Sequence, residues 1–165
     1  MNKLHNLGDV VFYGAQGICK IDNIETKEIG KLATDYYVLK PVFNLNTALF
    51  VPVDNDVLVA KMQPILNIAQ AEQLVASLKC IEIVMLESES LRRETYKSIL
   101  SNGDRTQLLS LIKTIRQERD IRRDCGKKLN INDEQVLRKA ELLIGNELAY
   151  VLKIAPEEAQ KLIEF

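Results

Sequence analysis

The chain of 165 residues has no tryptophan, one histidine and three cysteines. His5 has no cysteine or carboxylate at motif spacing around it, so it reads as an ordinary exposed histidine. Cys19, Cys80 and Cys125 are odd in number and far apart, which fits neither a disulfide framework nor a CxxC site; they are expected to be plain thiols, partly buried. No stretch approaches the roughly 18 uncharged apolar residues of a membrane helix, and the start, with Lys3, His5, Gly8 and Asp9, has no apolar signal core. A soluble, cytoplasmic protein is expected. The Walker A, GxGxxG, HExxH and GxSxG patterns are absent as well. Gly14-Ala15-Gln16-Gly17 follows one strand and precedes another, so the helix N-terminus that would hold a phosphate is missing. Asp133-Glu134 and Glu157-Glu158 sit where helix starts favour negative charge, and capping accounts for them better than acid/base chemistry. No enzyme, cofactor, metal or small-molecule substrate is therefore expected. An enzyme would need a pocket of convergent titratable groups, which no motif here announces.

What the chain does have is enough apolar content, 47%, to fill a core, and charges that are segregated although they nearly cancel to a net -1. All eight arginines lie between Arg92 and Arg138. Residues 91–128 hold eleven cations (Arg92, Arg93, Lys97, Arg105, Lys113, Arg116, Arg119, Arg122, Arg123, Lys127, Lys128) against five acids, with acidic stretches on either side. A basic block between acidic flanks is the first functional signal.

Periodicity divides the chain near residues 62–66. Val10–Tyr13, Ile18–Ile24, Tyr36–Lys40, Ala48–Val53 and Val57–Ala60 read as short strands separated by turn residues, and their spacing argues a small barrel. In the fourth strand Leu49, Val51 and Val53 share a face opposite Phe50, and Pro52 marks an edge or a bulge. Beyond Pro64 the pattern is helical. Helices are predicted over about 69–78, through Leu91 to Leu100 with a stop at Asn102-Gly103, and from an Asp104 cap to about Arg123. A fourth is predicted from an Asn132 cap with Ile131 stapled to Val136, and a fifth from Ala155-Pro156. The fold class is α+β: a β-barrel domain over 1–63 and an all-α domain of about five helices over 64–165.

On a helical wheel Arg116, Arg119 and Arg123 fall within roughly 60° of one another, with Arg105 on the same side. Guanidinium groups in such a stripe suit phosphates. A solvated face paired with Glu118, Asp120 and Asp124 accounts for the same pattern.

The order of the pieces resembles a known family. Gly8-Asp9-Val10-Val11-Phe12-Tyr13, Gly17-Ile18-Cys19-Lys20-Ile21, Tyr36-Tyr37-Val38-Leu39-Lys40 and Val51-Pro52-Val53 are similar to the N-terminal domain of the CarD/CdnL bacterial transcription regulators. That module also looks like the polymerase-interacting domain of transcription-repair coupling factors. Leu91-Arg92-Arg93-Glu94-Thr95-Tyr96-Lys97, Ser101-Asn102-Gly103-Asp104 and Leu137 to Ile144 resemble the family's helical domain, so the likeness runs over nearly the whole chain. It implies a Tudor-like barrel that docks on the RNA polymerase β subunit and a basic domain that touches promoter double-stranded DNA largely without sequence preference, modulating open-promoter stability. Lys27 and the strand Leu49-Phe50-Val51 match positions where the family contacts polymerase. Phe50 is either an exposed anchor or a core residue of a second face. Arg92, Arg93, Lys97, Arg105, Arg116, Arg119, Arg122, Arg123, Lys127 and Lys128 are the candidate DNA contacts. Two departures stand out. Gly14 and Gln16 occupy positions where the family often has proline and histidine, and no tryptophan is present to wedge into the minor groove, so Met85, Leu86 and Leu91 are either apolar wedges or packing residues of a chain that contacts mainly phosphates. The alternative function is an assembly module in which the barrel binds a protein, the helices mediate association and no DNA is touched.

Overall fold

The computed structural model describes residues 4–84 and 86–165, which divide into two compact units, 1–65 and 66–165. The first unit contains five antiparallel strands: β1 (Val10–Tyr13), β2 (Gly17–Ile29), β3 (Leu32–Pro41), β4 (Leu49–Pro52) and β5 (Met62–Pro64). Their order is β4-β3-β2-β1-β5. No hydrogen-bonded ladder joins the edge strands β4 and β5 among the described residues, so the expected closed barrel is an open five-stranded sheet. Gly14 and Gly17, both at positive φ, form the tight 3-10 turn between β1 and β2, a conformation that strains any residue with a Cβ.

One face of this sheet makes the core: Val11, Cys19, Ile21, Tyr37, Leu39 and Val51, with Val59 and Met62 packed among them. Strict alternation along β2 would turn Ile24 outward. A bulge between Ile21 and Asn23 inserts Asp22, and Ile24 then pairs with Tyr37 and packs against the core. Pro52 lies on the edge strand β4, as its missing N–H requires. Val57–Ala60 is not a strand. Asn55 accepts the Leu58 N–H at 3.1 Å and starts a single helical turn, α1 (Asp56–Val59).

Burial pushes the Cys19 thiol from its ordinary 9.0 up to about 12, and its S–H faces the Gly17 carbonyl. A folded-state value above the unfolded one means that this group's contribution to stability is complete below about pH 9 and is lost as the pH rises toward 12. Thiolate is the reactive form, so alkylation of the native protein at pH 8 is expected to modify the exposed Cys80 and Cys125 and spare Cys19. Intact mass reads this directly; native labelling of Cys19 would contradict the burial assigned to it.

The second unit comprises α2 (Ile68–Ala76), α3 (Glu89–Asn102), α4 (Arg105–Asp124), α5 (Ile131–Leu152) and α6 (Pro156–Leu162). Gly103 ends α3 in the left-handed conformation, and the Asp104 side chain accepts the Gln107 N–H to start α4. The cap of α5 is Asn130, two residues before the expected Asn132. Ile131 therefore lies inside the helix and is 75% exposed, and the hydrophobic staple is not formed. Helix α5 packs against α2, α3, α4 and α6. Leu108, Leu111, Ile112 and Ile115 of α4 and Ile144 and Leu148 of α5 are buried at the centre.

Candidate functional site

The candidate residues lie on two surfaces, one on each unit. On the first, alternation along β2, β3 and β4 turns Glu25, Lys27 and Ile29, Leu32, Thr34 and Tyr36, and Phe50 to the face opposite Tyr37, Leu39 and Val51. Phe50 is exposed, while Val51 is buried and Leu49 half-buried against the core. Lys27 reaches across so that its Nζ lies 3.3 Å from the Phe50 ring centroid, a cation–π contact that holds both side chains in one place on the outer face. Lys27 and Phe50 thus form one feature, with Val51 as its support from within.

Sequence reasoning missed the neighbours of this pair. Strand β2 continues five residues past its expected end at Ile24, and β3 begins at Leu32, so both run beyond the sheet as a two-stranded ribbon. Ile29 and Leu32 pair across the Gly30-Lys31 turn and are 69% and 76% exposed. They lie on the same outer face as Lys27, separated from it by one residue pair of the ladder. The signal available was the positive-φ turn at Gly30 flanked by two aliphatic residues.

On the second unit the basic block separates into inward and outward groups. Arg105 is turned inward: its Nε donates to Glu147 Oε2 at 2.9 Å and its Nη2 to Oε1 at 2.7 Å, and Glu147 is fully buried. Arg116 donates through Nε to Glu141 and through Nη1 to the Ile163 carbonyl. Arg92 lies 3.7 Å from the buried Asp133, whose carboxylate also accepts from Asn130 Nδ2. These three guanidiniums tie helices together. The expected side shared by Arg105, Arg116, Arg119 and Arg123 is accordingly divided, because α5 brings Glu141 and Glu147 to the first two. The same neighbourhood acts on Tyr96, whose hydroxyl pKa is raised by burial first and then by the Asp133 charge.

The outward group is Arg93, Lys97, Arg119, Arg123, Lys127 and Lys128, all exposed. Arg119 and Arg123 share Asp120 at 3.6 and 3.4 Å, Arg93 pairs with Glu89, and the half-buried Arg122 pairs with Glu118. Such exposed pairs are worth about 0–1 kcal/mol and are readily exchanged for another anion. Lys97, Lys127 and Lys128 form no ion pair among the described residues. Of the apolar wedge candidates, Leu91 at the start of α3 is 50% exposed, Leu86 is half-buried, and Met85 lies outside the described residues.

Among the described residues no group of three or more His, Cys, Asp or Glu stands together to hold a metal ion, and no helix is long and apolar enough to cross a membrane. A comparison with curated proteins finds no match. Residues 5–66 match the family described as the CarD-like/TRCF RID domain, a span that takes in all five strands, the bulge after Ile21 and the Lys27–Phe50 pair, and leaves helices α2 to α6 outside. The N-terminal unit of this protein is similar to the CarD-like/TRCF RID domain, a likeness that covers less than half of the chain.

Proposed function

We propose that the chain is a bacterial transcription regulator that docks on the polymerase β subunit through the outer face of β2, β3 and β4 and contacts promoter DNA through the outward cations of the helical unit. The observation that carries the reading is the joining of a polymerase-interacting domain to a unit whose exposed cations gather on α4 and the loop after it. On the first unit, Lys27 and Phe50 are the central contacts, Leu49 and Val51 hold the strand beneath them, and Ile29 and Leu32 extend the apolar surface. On the second, Arg119, Arg123, Lys127 and Lys128 neutralise phosphates, with Arg93, Lys97 and Arg122 beside them. Of the wedge candidates among the described residues, Leu91 is the exposed one, and a leucine wedge displaces less base-stacking surface than an indole. Once the domain is docked, the tether raises the local concentration of a weak DNA-binding surface, and that lengthens the life of the open promoter.

DNA affinity of this kind is backbone-directed and falls steeply with salt, by about one logarithmic unit of slope per phosphate contact. The double variant Arg119→Glu, Arg123→Glu is expected to flatten that slope by about two units and to weaken binding of the full chain to unrelated duplexes equally. Titration across a salt series measures both. An unchanged slope, together with an unchanged open-promoter lifetime in the polymerase complex, removes the DNA role and leaves the assembly module.

A further inference from the structure

The Arg105–Glu147 pair does more than join α4 to α5. Leu66 is the first residue of the helical unit, and its N–H donates to Glu147 Oε1 at 3.0 Å across 81 residues of sequence. Arg105 holds the same carboxylate through two hydrogen bonds and donates to the Gly103 carbonyl through its third nitrogen. The next amide, Asn67 N–H, donates to Gln70 Oε1 at 2.9 Å, and Asn67 Oδ1 accepts from Gln70 N in return, a complete capping box. On the other side, Pro64 is the last residue of β5. Ile65 alone stands between the hydrogen-bonded frameworks of the two units.

We propose that Arg105 and Glu147 are positioning residues that latch the junction, fixing the point at which the chain enters the helical unit and keeping the tether short. Glu147 is fully buried and touches no surface, so its influence on either partner passes through Leu66. Arg105 supplies the opposite charge that offsets the burial of the Glu147 carboxylate, and hydrogen bonds to a charged acceptor are the stronger ones. When the latch is lost the free segment lengthens. The helical unit then samples a larger volume around a docked N-terminal domain, and its effective concentration at DNA falls. This role rests on the tethering reading above.

The test uses the full chain with two variants. Glu147→Gln keeps the shape and removes the charge, whereas Arg105→Met with Glu147→Leu replaces the pair by apolar groups of similar volume, an exchange that buried ion pairs often tolerate without loss of stability. Residue-resolved amide exchange is expected to show Leu66 exchanging at least about tenfold faster while Leu109 and Ile144 keep their wild-type rates. An unchanged Leu66, or acceleration shared by Leu109 and Ile144, overturns the latch. DNA binding by the free variant is expected to equal wild type and DNA binding by the polymerase-bound variant to fall. Equal affinities in the polymerase complex despite a released Leu66 overturn the positioning role. If wild-type binding gains nothing from polymerase, the tethering reading fails, and the exchange rates still decide the latch.

Discussion

Truncation of Arg105 to alanine is expected to destabilise the helical unit by about 3–5 kcal/mol, whereas Arg119→Ala is expected to change it by no more than about 0.5 kcal/mol. Both residues lie on α4 and both belong to the basic block. The difference comes from what is left behind. Removing Arg105 strands the Glu147 carboxylate at zero exposure with the Leu66 amide as its one remaining partner among the described residues, a buried charge without compensation. Removing Arg119 exposes one edge of an already solvated Asp120, 48% accessible. Urea unfolding monitored by helical circular dichroism measures both. Equal midpoints for the two variants would mean that Arg105 is solvated in solution and would restore it to the candidate DNA contacts.

The second large effect belongs to the sheet. Phe50→Ala combined with Lys27→Glu is expected to weaken binding to the polymerase β subunit by at least about 2 kcal/mol, about thirtyfold, with little change in the domain's own stability. Phe50 is 43% exposed, so truncation leaves no large cavity, and its cation–π pair with Lys27 lies on the surface, where such a pair is worth about 0.5–1 kcal/mol. If this face docks as proposed, reversing the charge puts an anion where the partner would meet a cation and adds repulsion. The binding constant for purified β subunit decides the matter when the variant's thermal midpoint matches wild type. Wild-type affinity in a folded double variant would move the docking surface away from this face.

Where one element decides its own conformation, the sequence was a good guide. Leu49, Val51 and Val53 alternate with Phe50 and Pro52, and the strand presents those faces. Gly103, Asp104 and Pro156 punctuate helices because their effects act within a turn. The reading failed where a second element intervenes. A helical wheel gives angles on α4 but not what α5 sets opposite it, so the inward turn of Arg105 and Arg116 toward Glu147 and Glu141 was invisible. The β2–β3 ribbon was missed for a related reason. Outside the sheet it has no buried face, and Thr26 to Ala33 therefore lacks the alternating apolar pattern by which strands are recognised. Val57 to Ala60, short and apolar, carries no resolvable period, and there the Asn55 cap outweighed β propensity.

The long reach of Leu66 also orders events during synthesis. Every strand of the N-terminal sheet finds its ladder partner by residue 64, so that domain is complete in sequence before any helix of the second unit has left the ribosome. Glu147 emerges more than eighty residues later. Until it does, the Leu66 amide lacks its Glu147 acceptor, and the Asn67 capping box is the local hydrogen bonding at the start of the helical unit while α3, α4 and most of α5 are still being made. The nascent chain thus completes its sheet early and makes the Leu66–Glu147 hydrogen bond late.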